Sequence, residues 1–134
     1  LLKNNQNIDL VLCGLAFKGD PITDDLRNST SLELLSKIEE KVKDLKVWDP
    51  VISKKDLKDF GVNNTWYPPP WNSEPKKELI IVLANNSPYF NQLNWNSIVE
   101  NSLKLKIVDC WGVCENLMQL RKPNVDYYRL GRNL

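Results

Sequence analysis

Two largely apolar runs constrain this chain more than any other feature: Ile8 to Phe17 (IDLVLCGLAF) and Glu78 to Ala84 (ELIIVLA). A strand with one face in water alternates apolar and polar residues, whereas a strand covered on both faces reads as a continuous apolar stretch. Both runs therefore predict central strands of a parallel sheet with layers packed above and below. Elsewhere the period changes. Ser31 to Val42 sets Leu32, Leu34, Leu35, Ile38 and Val42 along one helical stripe, and Thr30 with Glu33 has the spacing of a capping box. Lys46 to Pro50 predicts a short strand stopped by proline. Ser53 to Phe60 predicts a short helix closed by Gly61, and Val62 to Tyr67 a weak strand before the prolines at 68–70. A helix from Trp95 to Leu103, a strand from Leu105 to Cys110, a short helix from Glu115 to Arg121 and a terminal strand from Tyr127 to Leu130 complete the order. Strands alternating with helices argue for an α/β fold, a single Rossmann-like three-layer domain with a mainly parallel sheet. A chain of 134 residues suits one domain and buries roughly two-thirds of its unfolded surface without needing a disulfide or metal staple.

Composition removes several classes of function. Eighteen Lys and Arg against seventeen Asp and Glu leave a net charge of +1, without the basic excess of a protein that grips nucleic acid through phosphates. There is no histidine, which excludes His-based triads, a His general base and imidazole zinc sites. Cys13, Cys110 and Cys114 are odd in number and lack a second ligand pair, so they read as unpaired thiols in a reducing compartment. No apolar run reaches the roughly 18 residues that span a membrane, and the opening LLKNNQN lacks a signal-peptide core. The expectation is a cytoplasmic protein with neither nucleic acid nor membrane as partner. The chain starts at Leu1 and reaches a strand within about eight residues, as a piece of something longer would.

In open α/β sheets ligands bind beyond the carboxyl ends of the strands, which directs attention to the loops after Phe17, Asp49, Ala84 and Asp109. The first is the richest, with Lys18, Asp20, Asp24, Asp25 and Arg27 between a buried strand and a helix start. A Lys or Arg there can meet phosphate oxygens, with helix N–H groups adding partial positive charge. Alternatively, the Asp residues favour the helix dipole and Arg27 pairs with one of them. A self-sufficient dinucleotide site is disfavoured, because Cys13 to Gly19 carries only Gly14 and Gly19 where a G-x-G-x-x-G turn needs three glycines. Asp49 stands where many dinucleotide folds hold a ribose-binding carboxylate, but Pro50 beside it favours a strand-ending turn. Asp109, Cys110 and Trp111 could line the same crevice, with a buried, core-anchoring Trp111 the expected outcome. Trp66 and Trp71 flank the prolines and are expected to pack that loop down.

The stretch from Gly14 to Ser29, GLAFKGDPITDDLRNS, resembles the opening of the C-terminal, UDP-binding domain of the UDP-glucose/GDP-mannose dehydrogenase family. In that family a strand ends in Phe-Lys, an acidic loop follows, and Asp-Leu-Arg-x-Ser leads into a helix; here these are Phe17, Lys18, Asp25, Leu26, Arg27 and Ser29. Later landmarks keep the family's order: Asp49-Pro50, ELIIVLANNSPYFNQL, IVDCWGV and YYRLGR. The resemblance covers nearly all of the chain, with the first motif the specific one.

The resemblance implies that residues 1–134 form the UDP-sugar-binding C-terminal domain of an NAD-dependent nucleotide-sugar 6-dehydrogenase. Such an enzyme oxidises a UDP-hexose or UDP-N-acetylhexosamine to the uronic acid, and the Pro21/Thr23 loop fits the N-acetylated branch. The family's NAD-binding domain, central dimerisation region and reacting Cys lie outside this chain, so none of the three cysteines takes that role and the isolated piece is expected to be inactive. NAD is the implied cofactor, bound mainly by the absent N-terminal domain, and the full-length protein is implied to be a homo-oligomer. Carried over by position, Phe17 and Lys18 contact the UDP-sugar and Arg27 reaches toward NAD, with no catalytic or metal-binding residue here. One departure is visible: many glucose-type members carry an Arg soon after the Asp of the IVD strand end, where this chain has Cys110-Trp111-Gly112. The competing class is a freestanding α/β regulatory or interaction module, whose acidic loop would hold Mg²⁺ or phosphate through Asp24 and Asp25.

Overall fold

The run from Ile8 becomes β1 (Ile8–Cys13), hydrogen-bonded on both sides in a computed structural model that describes residues 8–71, 77–120 and 122–130. One neighbour is β2 (Leu45–Trp48) and the other β3 (Glu78–Leu83), followed by β4 (Lys104–Asp109) and the edge strand β5 (Val125–Arg129). Every pairing is parallel, in the order β2-β1-β3-β4-β5; Leu12 stands opposite Val47 on one side and Val82 on the other. From Leu79 to Leu83 and from Asp9 to Cys13 every residue is buried, as two-sided coverage requires.

Alternation sorts the side chains into two cores. Val11, Cys13, Leu79, Ile81, Leu83, Leu105 and Ile107 face a cluster closed by Trp71, Phe90, Leu117 and, from α3 (Trp95–Glu100), Trp95, Ile98 and Val99. Leu10, Leu12, Leu45, Val47, Ile80 and Val82 face the other, closed by Leu35 of α1 (Thr30–Glu39) and Leu57 of α2 (Lys54–Asp59). Each such aliphatic residue contributes about 1.5–3 kcal/mol relative to exposure. The two layers pin the sheet, and with it the loops at its carboxyl edge.

Four expectations need correction. The cap of α1 is Ser29, not Thr30: Ser29 has extended backbone and its Oγ accepts from Leu32 N, whereas Thr30 is already helical. Val62 to Tyr67 is no strand. It makes one bridge, Trp66 opposite Val47, through Val47 N to Thr65 O and Tyr67 N to Val47 O, because β2 offers only a short edge. α3 stops at Glu100, three residues early, and the expected helix after Glu115 is a 3₁₀ turn over Glu115–Gln119. Arg121, Gly131 and Arg132 lie outside the described residues. α2 has Ser53 as its N-cap, Phe60 as its C-cap, and Gly61 (φ +103) closing it, as expected.

Asp9 is a surprise inside an apolar run. It is buried at the amino edge of the sheet and pairs with Lys46 at 3.1 Å and Lys77 at 3.7 Å, the compensation a buried carboxylate needs. Tyr67 stands against it, its hydroxyl pushed up to about 12 by burial and then by the Asp9 charge.

Candidate functional site

β2 and β3 lie on either side of β1, so the chain leaves β1 in one direction and enters β3 in the other. The crevice at such a switch point, beyond the carboxyl ends, is the usual ligand position in open α/β sheets. The polar loop after β1 and the NNSPYF turn after β3 face each other there.

The β1 loop is fastened by contacts remote in sequence. Gly14 takes φ +88 and ends the strand, although the apolar run continues to Phe17. The Asp49 carboxylate, 4% exposed, then clasps four backbone N–H groups: Leu15 (2.7 Å) and Ala16 (3.3 Å) at one oxygen, Val51 and Ile52 (both 2.8 Å) at the other. This is the strand-ending turn expected of Asp49-Pro50, and it also ties the β2 loop to the β1 loop. Ser29 Oγ donates to Leu15 O at 2.8 Å, and Phe17 N donates to Asp25 O. From across the switch point, Asn86 Oδ1 accepts from Gly19 N (2.8 Å) and Asp20 N (3.0 Å). Gly19 is obligatory at this approach, since a Cβ would sit 2.1 Å from Ser87 N. Asn86 was hidden in the sequence as an ordinary turn residue; the small-polar NNS run was its only signal.

Two of the expected contact residues stand together at the exposed bend. Phe17 is 46% exposed and Lys18 is exposed, its Nζ lying 5.6 Å from the Phe17 ring centroid. The described surroundings leave the ammonium open to an incoming anion. Arg27 projects separately, beyond the end of the loop, with Nε and one terminal nitrogen both 3.0 Å from Asp25. Arg27 lowers the Asp25 carboxyl below its usual range through side-chain and then backbone hydrogen bonds. The pair is open to water and easily exchanged. Among the described residues the other three guanidinium protons have no partner, so the side chain keeps donors available. The same pairing occupies the carboxylate that a magnesium site on Asp24 and Asp25 would need. No cluster of three or more His, Cys, Asp or Glu fit for a metal occurs among the described residues.

The β4 loop repeats the Asp49 device. Asp109 is fully buried and accepts from the backbone N–H of Trp111 (3.3 Å), Gly112 (2.9 Å), Val113 (3.2 Å) and Cys114 (2.8 Å), and from the Tyr127 hydroxyl (2.6 Å). Trp111 departs from expectation: it is turned out of the core and 56% exposed, because this clasp ends the strand and folds the backbone at 111–114 back over Asp109 at the carboxyl edge. Trp71 is buried and donates to Tyr67 O at 2.8 Å, and Trp66 packs partly into the opposite core, so the proline loop is held from both faces.

The three cysteines are free. Burial, and then the nearby Asp49 or Asp109 charge, raises the pKa of all three, Cys114 to about 12. At neutral pH they are thiols and poor nucleophiles.

Comparison with known proteins agrees with this geometry. A family model described as "UDP-glucose/GDP-mannose dehydrogenase family, UDP binding domain" matches residues 11–116, which span the switch-point loops and both carboxylate clasps. Two relatives, each named UDP-glucose 6-dehydrogenase, come from Rickettsia prowazekii (strain Madrid E) and Rickettsia typhi (strain ATCC VR-144 / Wilmington). They are 26% and 25% identical over 126 residues, 94% of this chain. The chain spans 28% of the length of each. No helix among the described residues is long and apolar enough to cross a membrane. With the motif from Phe17 to Ser29 seated at the switch point and the match running over most of its length, the chain belongs to the UDP-glucose/GDP-mannose dehydrogenase family, as its UDP-binding domain.

Proposed function

We propose that this chain, over residues 1–134, is the C-terminal, UDP-sugar-holding domain of an NAD-dependent nucleotide-sugar 6-dehydrogenase that converts a UDP-hexose or UDP-N-acetylhexosamine to the uronic acid. The observation that carries the reading is the exposed Phe17–Lys18 pair on a loop fastened to both neighbouring strands. Lys18 supplies charge to the diphosphate, and Phe17 offers an apolar face beside it. A loop already immobilised loses little further entropy on binding, so more of the contact energy appears as affinity.

NAD, when bound, accepts the hydride. The part of this chain is one of holding: Arg27 directs its free guanidinium donors toward phosphate or ribose oxygens from the side of the cleft that this domain forms. Two glycines in the β1 loop where a dinucleotide turn uses three fit a contributory contact, with the main NAD site on another domain.

Isothermal titration of UDP into the full-length protein and its Lys18→Ala variant tests the assignment. Loss of one phosphate-facing cation is expected to weaken UDP roughly tenfold or more. Equal affinity in the two proteins would remove Lys18 from the site. Mass spectrometry of turnover with a panel of UDP-sugars and NAD identifies the sugar.

A further inference from the structure

One aromatic side chain at the carboxyl edge is not consumed by the core. Among the five tryptophans, Trp71 and Trp95 are buried, Trp48 and Trp66 are half-buried, and Trp111 is 56% exposed. Despite that exposure, Trp111 is fixed at both ends. Its backbone N–H donates to Asp109 Oδ1 at 3.3 Å and its indole Nε1 to Ala84 O at 3.2 Å. The turn that carries it is rigid: Asp109 clasps the next three N–H groups, and Gly112 takes φ +73. Arg129, paired with Glu115 at 3.1 Å, packs so closely that a Cβ on Gly112 would meet its Nε at 1.9 Å.

The direction of this indole follows from its acceptor. Ala84 O also accepts from Ser31 Oγ at 3.3 Å, in the first turn of α1, so the ring shares one carbonyl with the helix into which the Phe17–Lys18 loop leads. Only β3 separates β1 from β4, a distance of roughly 10 Å between those strands, which a diphosphate with one attached ring can cover. Because Nε1 is already used, the indole has no donor left to read polar groups and presents its π face alone.

We propose that Trp111 is a stacking platform for a ring of the bound nucleotide sugar, either the uracil base or the hexose. A preset aromatic face recognises a flat ring without needing hydrogen bonds at its edge. The proposal rests on the UDP-sugar reading above and assigns that site a further contact residue.

The test is calorimetry on the full-length protein with UDP and with UDP-glucose, comparing wild type, Trp111→Ala and Trp111→Phe. Removal of the ring is expected to weaken binding on the order of tenfold, and Phe is expected to restore most of it. Equal losses for the two ligands place uracil on the indole; a loss confined to UDP-glucose places the hexose there. Unchanged affinity of Trp111→Ala for both ligands overturns the proposal while leaving the domain's function intact. Failure of wild type to bind either ligand overturns the UDP-sugar reading itself. Should Trp111→Ala not fold, wild-type tryptophan emission decides: quenching of the exposed component at saturation supports stacking, and unchanged emission refutes it.

Discussion

Replacing Asp49 by Asn separates the two roles that a carboxylate at the end of β2 can have. The side chain is buried, and each of its oxygens receives two backbone N–H groups, Leu15 with Ala16 and Val51 with Ile52. An amide is nearly the same size, but one of its ends is a donor. Whichever way it turns, one pair of N–H groups meets N–H instead of oxygen. Hydrogen bonds to a charged group contribute about 1.5–3 kcal/mol each, so losing two at this buried position costs on the order of 3–6 kcal/mol. That is a large share of a domain stability of about 5–15 kcal/mol. In urea denaturation followed by circular dichroism, the midpoint of Asp49→Asn is expected to fall by roughly 2 M with the slope unchanged. Below its transition the variant is expected to bind UDP more weakly, because Leu15 and Ala16 immediately precede Phe17 and Lys18. A stability loss under about 1 kcal/mol, together with loss of nucleotide binding, would refute the reasoning and make Asp49 a ligand contact.

Gly19→Ala forces a Cβ onto the Ser87 backbone and opens the Asn86 clasp; we expect about 1–3 kcal/mol of destabilisation and weaker UDP binding, measured by urea midpoint and calorimetry. Unchanged affinity would show that the loop clasp does not position Lys18. Stability is expected to fall in alkali. Cys13 and Cys114 keep their protons in the fold, whereas unfolded thiols release them near pH 8.5, so the stability they hold is complete below that pH and lost as pH rises toward the folded value, about 12 for Cys114. Each adds about 1.4 kcal/mol per pH unit to the decline. Cys114→Ala should flatten the limb measured between pH 9 and 11, and a flat wild-type profile would contradict it. A thiol reagent at pH 8 is expected to label half-buried Cys110 first, and Cys13 and Cys114 only on unfolding; rapid native labelling of all three would refute the burial argument.

Most of the fold was legible because its signals are local. Continuous apolar runs reported two-sided burial of β1 and β3, the stripe from Leu32 to Val42 reported α1, and Gly61 reported the end of α2. The boundaries failed where a neighbour overruled the pattern: Leu15 to Phe17 are apolar yet leave the sheet, because the Asp49 clasp holds their backbone in a loop. Nothing in the apolar run signalled the burial of Asp9, which depends on Lys46 and Lys77 from elsewhere in the chain.

For the site, the sequence alone determined which residue types gather after β1 and, through the Phe17 to Ser29 motif, which family they resemble, since both are properties of contiguous residues. Only the tertiary structure decided what holds them. The Gly19–Asn86 clasp spans 67 positions and the Asp49–Leu15 clasp 34, and whether Trp111 is buried or exposed depends on Asp109 at the end of β4 and the Ala84 carbonyl just past β3. Such contacts follow from strand order and parallel pairing, which bring the loop ends together at one edge of the sheet, and no spacing within a single segment encodes that meeting.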